Sequence, residues 1–148
     1  MPGNYKQTVA PTAQPITRAE AKTHCALTGD ADHDGYIDAL ILRAAEAIEK
    51  ILNRQLLSAT WTLTLDAFPD EIVIGKPPVS SVTSIAYTDS AGDAQTLAAA
   101  NYQTSLSTND GPARIKSAYG LTWPATRGDT YGACLLYTSP SPRDRQKS

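Results

Sequence analysis

Asp34-Gly35-Tyr36-Ile37-Asp38-Ala39-Leu40-Ile41-Leu42-Arg43-Ala44-Ala45-Glu46-Ala47-Ile48-Glu49-Lys50-Ile51-Leu52-Asn53 is the longest regular stretch in this chain of 148 residues. Its apolar members Ile37, Leu40, Ile41, Ala44, Ala47, Ile48, Ile51 and Leu52 recur in steps of three and four, which sets them on one face of a helix. Asp38, Arg43, Glu46, Glu49 and Lys50 fill the other face, and the Glu46–Lys50 spacing adds only a few tenths of a kcal/mol. The apolar stripe decides the fold, because burying one Ile or Leu contributes roughly 1.5–3 kcal/mol and a lone helix has nothing to bury it against. A second layer is required, and replacing Ile48 with Asp is expected to abolish folding.

Upstream, Thr17 and Glu20 have the spacing of a capping box. They predict a short helix over 17–27, with Ala21, Cys25 and Ile16 inward and Gly29 ending it. Residues 1–15 contain Pro2, Gly3, Pro11 and Pro15 without a period and read as a flexible arm.

Downstream, the period changes to two. Trp61, Leu63 and Leu65 alternate with Thr60, Thr62 and Thr64, the pattern of a half-buried strand. Short strands follow at Glu71–Ile74, around Val82–Tyr87, at Gln95–Leu97, Tyr102–Leu106 and Arg114–Lys116. Asp89–Asp93 and Asn109–Pro112 are turns, and Trp123-Pro124 marks a loop able to dock its indole. The fold class is α+β: two N-terminal helices, 17–27 and 34–53, packed with a small, mostly antiparallel β-rich module over 56–131. The expected core is Ile37, Leu40, Ile41, Ala44, Ile48, Ile51, Leu52, Trp61, Leu63 and Leu65.

Composition narrows the function. The chain carries 13 Lys and Arg against 15 Asp and Glu, a net charge of −2. Residues 1–133 hold most of the acid, and no basic stripe with interleaved aromatics suits extensive nucleic-acid binding. No apolar run approaches the length that spans a bilayer, and Met1–Gln14 lack the apolar middle of a secretory signal, so synthesis in the cytosol is expected. Two cysteines cannot build a disulfide scaffold, and Cys25 reads as a buried or half-buried helix residue.

Candidate chemistry is thin. Asp30, Asp32 and Asp34 with Gly35 and Ile37 imitate an EF-hand loop, but the bidentate Glu of the twelfth position is replaced by Ile41 on the apolar stripe. An acidic loop capping the long helix through Asp32 or Asp34 is preferred. His24, Cys25, Asp32 and His33 lack the convergence that zinc demands. Asp66, Asp70 and Glu71 read as solvated turn acids and not as a general acid and base pair, and Ser80, Ser81 and Ser84 have no suitable histidine. No catalytic, cofactor or metal residue is assigned, and an enzyme is not expected.

The order of these pieces resembles the gp6-like and gp8-like head-tail connector (adaptor) family of long-tailed bacteriophages. The resemblance runs from Ile16-Thr17-Arg18-Ala19-Glu20-Ala21-Lys22 through the acidic turn and the long helix ending at Leu52-Asn53-Arg54-Gln55-Leu56. It continues in Thr60-Trp61-Thr62-Leu63-Thr64-Leu65-Asp66-Ala67-Phe68-Pro69 and, in order, Ile72, Pro77-Pro78, Ser81-Val82, Ile85, Tyr87, Asp89, Gly92, Tyr102 and Trp123-Pro124, so it covers residues 16–131. It implies a structural virion subunit, made in the bacterial host cytoplasm, of a closed ring of about twelve copies at the head–tail interface. The implied partners are other copies of itself, the portal protein and tail-completion proteins; DNA passes through the ring without specific binding, and neither membrane nor cofactor is involved. The long helix would be the scaffold and the segment Glu71–Thr88 would make subunit or tail-side contacts. Alternative readings are another small phage tail-completion or assembly protein, and a metal-binding module at Asp30–Asp38.

The end departs from the family. Cys134-Leu135-Leu136-Tyr137-Thr138-Ser139-Pro140-Ser141-Pro142-Arg143-Asp144-Arg145-Gln146-Lys147-Ser148 resembles the translation of a transposase-type sequencing adapter. Residues 134–148 are therefore expected to be a disordered or artefactual tail, leaving 16–133 as the connector domain.

Overall fold

The structure, a computed structural model, describes residues 3–11, 13–27, 29, 31–106 and 111–140. In chain order the elements are β1 (Asn4–Val9), α1 (Arg18–His24), α2 (Asp34–Leu52), β2 (Thr60–Leu65), β3 (Glu71–Ile74), β4 (Val79–Thr88), β5 (Ala94–Thr96), β6 (Tyr102–Ser105), β7 (Ala113–Ser117) and β8 (Cys134–Pro140), with a 3-10 turn at Ala99–Asn101. Two helices and wholly antiparallel strand pairing make the class α+β.

The strands form two sheets, one ordered β1-β2-β8-β4-β5 and the other β3-β7-β6. Both sheets feed one core. Leu63 and Leu65 of β2, Ile85 of β4 and Cys134 and Leu136 of β8 cluster with Ile72, Ile74, Ala113 and Ile115 of the smaller sheet. The registers explain the cluster: Leu136 stands opposite Leu63 on one side and Ile85 on the other, while Ile72 stands opposite Ile115. At the edge of this core Trp123 stacks on Phe68 with ring centroids 4.9 Å apart, and Tyr87 meets Phe68 edge-on at 5.7 Å. The Trp123 indole N–H is buried without an acceptor among the described residues.

Three expectations are corrected here. Residues 1–15 are not a free arm throughout: Asn4–Val9 pair with β2 as an edge strand, and the Tyr5 hydroxyl accepts from the Gly75 N–H at 2.9 Å. Most of that strand is exposed, so its sequence carries no apolar alternation to betray it. Residues 134–148 are not a tail from their first residue, because Cys134–Pro140 form the middle strand of the larger sheet. Cys134, Leu136 and Thr138 alternate inward between two neighbours, which is the period-two pattern of a strand; residues 141–148 lie outside the described part, as do Asp30, Asn109 and Asp110 of the predicted loop and turn. The helices, finally, do not lie across the β module. They pack on each other and join the module at the C-terminal end of α2.

Candidate assembly surface

The helical pair is built from local signals. Thr17 caps α1 through a full capping box: its hydroxyl accepts from the Glu20 N–H, and the Glu20 carboxylate accepts from the Thr17 N–H at 2.8 Å. α1 stops after His24, earlier than expected, because Ala26 adopts a left-handed conformation and the Leu27 N–H donates back to the Lys22 carbonyl at 2.9 Å. Gly29 therefore lies beyond the helix end, and Cys25 is exposed.

Arg18 and Lys22 of α1 then grip the first turns of α2. Arg18 donates to Asp34 at 2.9 Å and forms a two-pronged pair with Asp38, and Lys22 reaches Asp34 at 2.7 Å. The bond from Lys22, with that from Arg18, holds the Asp34 carboxyl below the usual carboxylate range; Arg18 does the same for Asp38. These pairs also revise the capping expectation. The N-cap of α2 is His33, and Asp34 sits in the first turn with its charge spent on α1. Two acids of the imagined calcium loop are thereby engaged, and among the described residues no group of three or more His, Cys, Asp or Glu side chains could hold a metal.

A second joint ties α2 to the β module. Asn53 turns the chain in a left-handed conformation, and the Glu49 carboxylate accepts from the N–H groups of Leu56 at 2.8 Å and Leu57 at 3.2 Å and from the Gln55 amide at 3.2 Å. Gln55 is buried; its N–H donates to the Pro77 carbonyl at 2.9 Å, and its side-chain oxygen accepts from the Trp61 indole at 3.0 Å. Lys76 lies 4.7 Å above the Trp61 ring. One glutamate, one glutamine and one indole thus set how the helices leave the sheets.

The long helix is where the expected core list needs most correction. Ile37 and Ile41 are buried, with Ala45 beside them, but Leu40, Ala44, Ile48, Ile51 and Leu52 are exposed, Ile51 by 82%. The cause is length: α1 has seven residues and α2 has 19, so α1 covers only the N-terminal part of α2. Of the remaining core residues, Leu63 and Leu65 are buried and Trp61 is half-buried. The deepest side chains, Ile72, Ile74, Ile85, Ile115, Cys134 and Leu136, are absent from the expected core list. Burial pushes the Cys134 thiol up to about 12.

Beside the exposed stripe a groove of about 400 Å³ opens between α1 and α2, lined by Ile16, Cys25, Leu27, Tyr36 and Leu40 among others. At the far end of the β module a wider cleft of about 660 Å³ separates the two sheets, flanked by Asp66, Phe68, Glu71 and Tyr131. Its acids are structural: Asp66 accepts from the Gly132 N–H at 2.8 Å, and Glu71 pairs with Arg114 at 2.5 Å and Lys116 at 3.4 Å. No helix among the described residues is long and apolar enough to cross a membrane. What the surface offers at the helical end is the exposed apolar stripe of α2.

Comparison with known proteins places this architecture. The family model for the phage gp6-like head-tail connector protein matches residues 16–111, from the start of the helical pair to beyond β6. Among solved structures, a chain in the virion of a native gene transfer agent particle is 24% identical, with a TM-score of 0.70 over 93% of this chain and 71% of that one. A chain in the neck of the empty particle, computed with C6 symmetry, is 25% identical, with a TM-score of 0.69 over 92% and 69%. One in the neck of the native particle, computed with C12 symmetry, is 26% identical, with a TM-score of 0.66 over 95% and 70%. No curated protein matches.

Proposed function

The chain belongs to the phage gp6-like head-tail connector family, and from that premise we propose that it is a structural virion protein, one subunit of a neck ring that joins a DNA-filled head to a tail. The observation that carries this reading is the match over both helices and most of the β module, supported by the fold shared with chains from necks of six-fold and twelve-fold symmetry. A ring subunit needs a rigid body and surfaces that fit a neighbour, not a reactive centre, so the protein acts without catalysis or cofactor. Its partners are copies of itself in a ring of about twelve, the portal protein on the head side and tail-completion proteins on the other. The net charge of −2 suits a conduit past which DNA slides without being held. Residues 4–140 form the working body, because β1 and β8 both belong to the larger sheet.

The experiment is deletion of the gene in its source genome, followed by electron microscopy of the particles. Filled heads and free tails accumulating side by side are expected. Intact tailed particles would refute the reading, and heads carrying incomplete tails would favour the neighbouring assignment as a tail-completion protein.

A further inference from the structure

We propose that β1, with Gly3 before it, is a releasable strap: it lifts off β2 as one unit and opens the cleft between the two sheets while the rest of the chain stays folded. The device belongs to the single subunit and is independent of any ring that the subunit joins.

The strap is an edge strand whose ladder is with β2 alone, and five of its six residues are exposed. Little apolar surface resists its release, and segments held by few buried contacts are the ones that open at low free energy. Three fasteners hold it instead. At the leading end, the Gly3 backbone lies so close over the core that a Cβ there would collide with Leu63 and stand 2.9 Å from Leu65 Cδ2. In the middle, the Tyr5 ring packs on the core, and its hydroxyl accepts from the Gly75 N–H at 2.9 Å, which latches the larger sheet to the chain just beyond β3. Toward the far end, the hydroxyls of Thr8 and Thr62 share a hydrogen bond of 2.7 Å.

The ladder shifts register between Gln7 and Val9, a bulge that interrupts the pairing at the trailing end of the strap. Behind it, the Gln14 side chain donates to the Asp38 carboxylate on α2. The bulge is thus the hinge, and Gln14 the anchor behind it. Gly3 and Asn4 line the cleft of about 660 Å³ together with Leu63, Leu65, Phe68 and Ile72, so lifting the strap bares the edge of β2 and uncovers the two leucines. Simple fraying from the N-terminus would give the β1 amides graded protection, whereas a strap gives them one common opening. The Gly75 amide, 70 residues along the chain from its acceptor Tyr5, must share that opening.

Native-state hydrogen exchange of the full chain, followed by NMR in sub-denaturing urea, tests this. The β1 amides bonded to β2 and the Gly75 amide should exchange through one common, weakly urea-dependent opening, at least about 100-fold faster than the β8 amides. Ile85→Val, in β4 on the far side of β8, should speed β8 exchange about fivefold and leave β1 and Gly75 within about twofold, because it weakens the closed and open forms alike. Tyr5→Phe, which removes the latch, and Gly3→Val, which collides with the leucines, should each speed β1 exchange about tenfold. Protection of β1 equal to that of β8, protection graded toward Asn4 with Gly75 out of step, β1 exchange that follows β8 in Ile85→Val, or β1 exchange indifferent to Tyr5→Phe would each overturn the strap.

Discussion

Leu136→Ala tests whether the chain's late strand really holds the β module together. Leu136 is fully buried in β8, with Leu63 of β2 opposite on one flank and Ile85 of β4 on the other. Truncating such a leucine removes its transfer free energy and leaves a cavity that both ladders prevent from collapsing, so a loss of about 3 kcal/mol is expected within the usual range of about 2–5. For a domain of this size that lowers the melting temperature by about 6–12 °C. Urea unfolding followed by the fluorescence of Trp61 and Trp123 reads the change as a lower midpoint at constant slope. A chain stopped after Ala133 goes further, since the larger sheet would divide into the pairs β1-β2 and β4-β5, and no cooperative transition should remain. Ile51→Ala, on the exposed stripe, serves as the control and should stay within about 0.5 kcal/mol of wild type. A loss below about 1 kcal/mol in Leu136→Ala, or cooperative unfolding of the chain ending at Ala133, would refute the placement of β8.

Three other outcomes follow from the described contacts. Glu49→Ala should cost about 2 kcal/mol and speed hydrogen exchange at the Leu56 and Leu57 amides, which lose their acceptor; unchanged exchange there would show that the joint is held otherwise. Asp34 and Asp38 have depressed carboxyl pKa values, so the grip of α1 on α2 is complete above the ordinary carboxylate range near pH 4 and is lost as pH falls through the lower folded-state values. NMR shifts of the α1 amides should titrate on that acid limb, and Arg18→Met should move the Asp38 midpoint upward; an Asp38 midpoint indifferent to the substitution would contradict the pairing. Ile48→Asp should leave a native melting curve, contrary to what periodicity alone suggests, because Ile48 is 45% exposed; loss of the folded state would restore it to the core.

The two helices and the antiparallel strands were legible because their signals are local. Thr17 and Glu20 announce the capping box, and the alternation from Thr60 to Leu65 announces β2. Hydrophobic spacing also named the apolar face of α2, but periodicity tells which face avoids water and not what covers it. Leu40, Ile48, Ile51 and Leu52 were therefore assigned to the interior, whereas the described residues leave them exposed. β1 was invisible for the opposite reason: an edge strand exposed over most of its length carries no apolar pattern, and its place is fixed by its ladder with β2 and the bond between Tyr5 and Gly75. In β8 the inward alternation of Cys134, Leu136 and Thr138 was present in the sequence, but the resemblance of residues 134–148 to a translated sequencing adapter, with the prolines and arginines that follow, drew the reading toward a tail. The joint at Glu49, Gln55 and Trp61 had no sequence signal, since its members meet only after Asn53 has turned the chain.

The position of β8 also sets the timetable of synthesis. β2 and β4 leave the ribosome with an open edge each, and the strand that will lie between them is translated some 45 residues after β4 has finished. Until it arrives, those edges are templates for pairing with other nascent chains, the hazard that non-local sheets carry during folding. A subunit of the proposed ring of about twelve is needed in few copies per particle and can be made slowly and at low concentration, conditions under which an interval of unprotected edges does little harm.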